Sequence, residues 1–211
     1  MAKIMILNGS PRAPKSNSKR YAALFAKYCS IACTYFEISK SNHAALRSEM
    51  EKYSDVLFVF PLYADALPVG FLNFLKFLEN NPPTRKPVVS ILINCGFFEY
   101  NQNEIAVRMM RLFCRQNHYA LGSVLMLGSG EAILDSPFQF LAAAKIKQLA
   151  ASIVSRSYRV FHVTMPLTRK LFQLASTYYW VQYGKKFGVT KKQMQTMEIE
   201  SAGEVRSDLG H

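Results

Sequence analysis

The chain has 211 residues, enough for one ordinary domain with an appendage. Half of them are hydrophobic, which excludes a disordered chain, and no apolar run reaches the ~18 residues that a membrane-spanning helix needs. The net charge of +12 is unevenly placed: residues 136–197 hold no acidic side chain but ten lysines and arginines, which reads either as a solvated basic face or as a surface for polyanions, nucleotide phosphates or anionic lipid.

The first apolar stretch, "KIMILN" (3–8), is too short for the core of an export signal and is read as a strand. A helix is expected over 17–30, and "CTYFEI" (33–38) is a second strand, followed by a charged helix through "ALRSEMEKYS". "DVLFVFP" (55–61) is a third strand, apolar on both faces. From Pro68 a helix places Phe71, Leu72, Leu75 and Leu78 at helical spacing. "PVVSILINCG" (87–96) is a fourth strand; the helix over 102–117 carries Ile105, Met109, Leu112 and Phe113. "GSVLMLGSG" (122–130) is a fifth, with its helix in "PFQFLAAAKIKQLAASIVS". Strands without alternation are covered on both faces, and strands separated by helices pair in parallel through right-handed crossovers. Five such units in about 155 residues predict a doubly wound, three-layer α/β sandwich; a TIM barrel would need about 250 residues. The remainder fits no further strand–helix unit. Residues 156–195 are read as a basic, amphipathic helical extension opened by Pro166, and 196–211 as a mobile tail.

In an open α/β sheet, ligands bind beyond the carboxyl ends of the strands, so three loops matter. The first, "NGSPRAPKSNS", sets Gly9 and Pro11 beside Ser10, Ser16, Asn17 and Ser18 at a helix start, with Arg12, Lys15 and Lys19 nearby. Hydroxyls, free backbone N–H groups and a helix dipole together make an anion seat; a capped helix after a plain turn is the structural alternative. GxxxxGK[ST] is absent, and neither this loop nor Gly128-Ser-Gly130 completes GxGxxG, so the P-loop and Rossmann fingerprints are excluded. The second loop, "PLYADALPVG", displays Tyr63 and Leu67 between Pro61 and Pro68, an edge suited to a flat heteroaromatic ring. The third, "NCGFFEYNQNE", offers backbone amides near Gly96 and the pair Phe97 and Phe98, which serve equally as core or as a subunit contact. Cys29, Cys33, Cys95 and Cys114 show no CxxC pair and no histidine at metal-ligand spacing, so they are read as free thiols of a cytoplasmic protein, with no metal. The four histidines lie in separate segments without a GxSxG, which argues against hydrolase chemistry.

"NGSPR…SNS", "PLYADALP" and "NCGFFEYNQNE", in this order, resemble the flavodoxin-like NAD(P)H-dependent FMN reductases and their quinone-reductase relatives over residues 1–155. The resemblance implies a flavodoxin-like FMN-binding domain with strand order 2-1-3-4-5. It implies that Ser10, Arg12, Ser16, Asn17 and Ser18 hold the FMN phosphate. Pro61, Leu62, Tyr63 and Ala64 would flank the isoalloxazine, and Asn94, Cys95, Gly96 and Phe97 would line its other side. Hydride would pass from NAD(P)H through flavin N5 to a quinone, a nitro or azo compound, or free flavin, with no side-chain acid or base required, in a homodimer that uses Phe97, Phe98 and Tyr100. The compact cysteine motif of iron–sulfur relatives is missing, and the basic charge is unlike that of acidic carrier flavodoxins. Two alternatives stay open: an electron carrier docking an acidic redox partner, and a flavoprotein held to a membrane or partner through residues 158–192. Nucleic acid is not an expected partner.

Overall fold

A strand built wholly from apolar side chains is stable only when both of its faces are covered. β1 (Ile4–Asn8), β3 (Asp55–Pro61) and β4 (Val88–Asn94) come close to this, their few polar residues Asn8, Asp55, Ser90 and Asn94 being buried as well, and they form the centre of the sheet in the computed structural model, which describes residues 3–196. With β2 (Cys33–Glu37), β5 (Leu121–Leu127) and β6 (Val160–Val163) they make one parallel sheet of order β2-β1-β3-β4-β5-β6. The chain leaves β1 for one edge and returns to β3 on the other side of β1, so the loops after β1 and β3 diverge and open a crevice between them.

The helices bury the stripe that their spacing dictates. α1 (Asn17–Tyr28) buries Ser18, Tyr21, Ala22 and Phe25, the i, i+3, i+4, i+7 pattern of one helical face. α3 (Val69–Asn80) buries Phe71, Phe74, Leu75 and Leu78 in the same pattern. The side chains of α2 (His43–Met50), α3 and α4 (Glu104–Gln116) join Met5, Leu7, Phe58, Phe60, Ile91 and Ile93 in one core on one face of the sheet. α1 and α5 (Gln139–Val154) pack against each other and the sheet. Phe71 lies between Phe58 and Phe60, at 5.0 and 4.7 Å between ring centroids; fully burying a ring of this size is worth roughly 2–3 kcal/mol.

Two expectations need correction. The sheet has six strands, because residues 160–163, read above as part of a helical extension, pair with β5. That strand is short and half exposed, so it lacks the continuous apolar run that marked the others. On α4 the buried residues are Ala106, Val107, Met110, Phe113 and Cys114, whereas Ile105 is 58 % exposed and Leu112 is also exposed. The buried stripe lies about one position C-terminal to the expected one, with Phe113 common to both. The chain falls into two compact units, Met1–Pro166 and Leu167–His211. In the second unit, α6 (Arg169–Lys185) and α7 (Lys191–Met194) form by local capping, with Thr168 accepting from the Leu171 amide and Thr190 and Gln193 in a reciprocal box. The expected tail begins at the end of α7 and falls almost wholly outside the described residues.

Candidate functional site

The loop after β1 is organised from below by Asn8, a polar residue closing an otherwise apolar strand. Asn8 is fully buried; its Oδ1 accepts from the Ser10 amide at 2.9 Å, and its Nδ2 donates to the Tyr35 hydroxyl at 2.9 Å and to Ser16 Oγ at 3.4 Å. Tyr35 in turn donates to Glu37 Oε1 at 3.1 Å, and burial pushes its phenol up to about 12. The sequence reading missed Asn8, although an Asn ending "IMILN" is the visible signal. Gly9 is required here for space: a Cβ would lie 2.9 Å from Phe71 Cγ, inside the aromatic core.

Ser16 is the N-cap of α1, accepting from the Lys19 amide at 3.2 Å and donating to the Ala13 carbonyl at 3.2 Å. The amides of Asn17 and Ser18 belong to the first helical turn, which has no carbonyls of its own to bond. Ser10 is buried and accepts from the Arg12 amide at 3.3 Å. Asn17 Oδ1 accepts from Arg20 at 3.0 Å. Ser18 is buried beneath the helix start, where Asn94 Nδ2 donates to its hydroxyl at 3.2 Å. Arg12, Lys15 and Lys19 are exposed on the same loop and helix. The helix start therefore gathers backbone N–H, hydroxyl and cationic groups in one place, with Lys19 paired to Glu37 at 3.5 Å.

The loops after β3 and β4 are joined by the Leu62 amide donating to the Asn94 carbonyl at 2.7 Å. Asn94 is buried and donates to the Phe60 carbonyl as well as to Ser18, so one amide ties the ends of β3 and β4 to the start of α1. Beyond Leu62 the chain folds into a tight turn in which Tyr63 and Ala66 exchange backbone hydrogen bonds of 3.0 Å. The turn forces Ala64 and Asp65 to φ of 47° and 56°, a left-handed conformation costing roughly 1–2 kcal/mol per non-glycine residue. The strain holds Tyr63 outward, 59 % exposed, while Leu67 and Pro68 return to the core. Pro61 and Leu62 are half-buried and Ala64 is exposed.

On the other loop, Gly96 and Phe97 face solvent, Phe97 being 53 % exposed. Cys95 points inward, against Asn103 Nδ2 at 3.5 Å and the carbonyls of Phe97 and Glu99. Burial pushes its thiol up to about 11, so it is an inert core group at neutral pH. Phe98 and Tyr100 are half-buried, and Tyr100 stacks on His162 at 4.2 Å.

A fourth loop, after β5, completes the rim and was not legible as part of the site. The Ser129 and Gly130 amides donate to the Phe97 and Cys95 carbonyls at 2.5 and 2.7 Å, while Thr164 donates to the Phe98 carbonyl. The Gly128-Ser-Gly130 clamp needs glycine at both ends, since a Cβ at Gly128 would stand 2.8 Å from the Tyr100 amide nitrogen and one at Gly130 2.9 Å from Asn94 Cβ. Buried Tyr21 donates to the Gly130 carbonyl at 2.7 Å, and Arg20 makes a two-pronged ion pair with Asp135 at 2.8 and 2.5 Å. That hydrogen-bonded pair holds the Asp135 carboxyl below its ordinary range. Glu131 pairs with Arg12 at 3.7 Å and borders Gly96, where its carboxyl carbon is 3.6 Å from the position of a Cβ, so the loop after β1 and the Gly96 loop share one neighbour. Among the described residues no His, Cys, Asp and Glu group is placed to hold a metal ion. His43 packs on Phe74 and Phe77 at 5.3 and 5.7 Å, away from these loops.

No family model matches the chain, and no curated protein matches it. Solved structures do. A Streptococcus pneumoniae flavodoxin superposes with a TM-score of 0.56 at 12 % identity, covering 74 % of this chain and 99 % of its own. An NADPH-quinone reductase from P. pentosaceus gives 0.56 at 15 % identity, covering 71 % and 98 %. An azoreductase from Bacillus anthracis gives 0.53 at 13 % identity, covering 75 % and 100 %. At such identities the likeness establishes the fold: the chain is flavodoxin-like.

Proposed function

We propose that this chain is an FMN-dependent NAD(P)H oxidoreductase that reduces a small acceptor such as a quinone, a nitro or azo compound, or free flavin. The observation that carries the reading is that a helix start with unbonded first-turn amides and the two exposed rings Tyr63 and Phe97 lie on loops at the same end of the sheet, tied together through Asn94. The donor set fits FMN: unbonded first-turn amides, Ser10, Ser16 and exposed cations suit a phosphate dianion, while Tyr63 and Phe97 suit the faces of a flat ring. Solved structures of the same fold that are named azoreductase, NADPH-quinone reductase and flavone reductase add support.

Ser10, Arg12, Ser16, Asn17 and Ser18 would hold the phosphate, with Arg12 exchanging Glu131 for it. Pro61, Leu62, Tyr63 and Ala64 would lie along the ring from one loop, with Asn94, Cys95, Gly96 and Phe97 along the other. Within those groups Asn94 and Cys95 would act by holding the loops in place, since their side chains turn inward and their carbonyls already accept from the Leu62 and Gly130 amides. Bound flavin would supply reversible hydride and electron transfer; the protein's part is to fix the ring and leave one face open. A second subunit covering Phe97 would shield the ring from water.

The test is the visible spectrum of FMN-loaded protein under anaerobic NADPH or NADH. Bleaching of the flavin band supports the reading. A bound flavin that stays oxidised favours an electron carrier, the reading that the flavodoxin-like strand order also allows.

A further inference from the structure

Among the described residues, the second unit carries a dense run of exposed apolar side chains. Along α6, Leu171, Leu174, Tyr178, Tyr179, Trp180 and Tyr183 are all exposed, Leu174 and Tyr178 at 68 %, and Phe187 follows at 69 %. The rings order one another instead of being covered: Tyr179 and Trp180 are 5.3 Å apart, Tyr179 and Tyr183 6.2 Å, and Tyr183 and Phe187 5.1 Å. The unit is built to hold this surface, because Gly184 is buried where a Cβ would meet Met194 Sδ at 2.8 Å, locking α7 against the end of α6. An apolar patch of this kind marks a contact surface.

Charge identifies the contact. No acidic residue lies between Asp135 and Glu198, and lysines 170, 185, 186, 191 and 192 flank a stretch, 171–184, that holds no charged residue. Uncharged middle turns rich in Tyr and Trp, with cations gathered at the ends, match a water–lipid interface: the rings sit at headgroup depth and lysines reach anionic phosphates. A nucleic-acid surface would need cations distributed along the helix. A contact of this unit with itself would set lysines against lysines, with no acidic residue between Asp135 and Glu198 to pair them. No described helix is long and apolar enough to cross a bilayer, so the fit is to a helix lying in its plane. We infer that residues 167–194 dock this protein on an anionic lipid surface, with α6 in the interface and the lysines at its ends on the lipid headgroups. The inference does not depend on the flavin reading.

Trp180 is the only tryptophan, so its emission reports on α6 alone. The full chain is titrated with vesicles of phosphatidylcholine alone and of phosphatidylcholine with phosphatidylglycerol, at low and high salt, with co-sedimentation in parallel. The expected result is a blue shift and co-sedimentation with the anionic vesicles, weakened at least about tenfold by salt or by the double variant Lys185→Glu, Lys186→Glu, since each lysine near an anionic surface contributes measurably. The far-UV circular dichroism spectrum and the unfolding midpoint of that variant stay at the parent level, which separates loss of docking from misfolding. Three outcomes overturn the inference: no binding to either vesicle; a blue shift that grows with protein concentration without vesicles, which assigns the patch to a second copy; and salt-sensitive binding to duplex DNA without vesicle binding.

Discussion

Asn94→Ala is the sharpest perturbation of the framework that carries the site. The Asn94 amide is 3 % exposed and donates at 3.2 Å to both the Phe60 carbonyl and Ser18 Oγ. Each buried hydrogen bond contributes about 1 kcal/mol net, and leaving an acceptor unpaired raises the loss, so the substitution should cost roughly 2–3 kcal/mol. For a chain of this size that lowers Tm by about 5–10 °C, at roughly 2–4 °C per kcal/mol. The same change releases the start of α1 from the ends of β3 and β4, so FMN should bind about tenfold more weakly, the equivalent of about 1.4 kcal/mol. Denaturant unfolding followed by far-UV circular dichroism gives the first number, and flavin fluorescence titration the second. A variant within about 0.5 kcal/mol of the parent, as at an ordinary surface position, would refute the reasoning.

Gly128→Ala should displace the Phe97–Tyr100 segment and weaken FMN binding more than it lowers stability, because the new methyl meets backbone rather than a movable side chain; parent-like FMN affinity would contradict this. Asp135 has its folded carboxyl depressed by Arg20, so its contribution is present above the unfolded value of about 4 and is lost as pH falls through the folded one. Both partners are largely exposed, at 44 % and 65 % for the Arg20 and Asp135 side chains, so Asp135→Asn should cost under about 1 kcal/mol at pH 7 and almost nothing below the folded value, read from unfolding midpoints across pH. Iodoacetamide should alkylate Cys29 ahead of Cys95 and Cys114, because the half-exposed Cys29 thiol beside Cys33 is held below its ordinary value while burial raises those of Cys95 and Cys114; peptide mapping by mass spectrometry checks the order.

The fold was largely legible because its central strands have to be apolar on both faces, and "DVLFVFP" can be little else. β6 was not, since a short edge strand with Val160 exposed presents no such run. The helix-start loop was legible for a local reason: hydroxyls, glycine and cations sit together in the chain. The shared neighbour Glu131, the Arg20–Asp135 pair and the Gly128–Gly130 clamp were not, because each joins segments more than 25 residues apart. Their residues have no distinguishing neighbours in sequence; only the strand order brings them to one rim. α6 was visible as a helix, but its nearly continuous exposure depends on what surrounds it, which periodicity does not encode.

The account rests on the helix start of α1 being the seat of the FMN phosphate, and comparing FMN with riboflavin tests it most directly. The two differ only in that phosphate. Two or more charge-assisted hydrogen bonds, at about 1.5 kcal/mol or more each, predict that FMN binds at least about a hundredfold tighter by calorimetry. The advantage should shrink in Ser16→Ala, which removes a hydroxyl from the seat. Equal affinity for the two flavins would contradict the account, whatever else the protein binds.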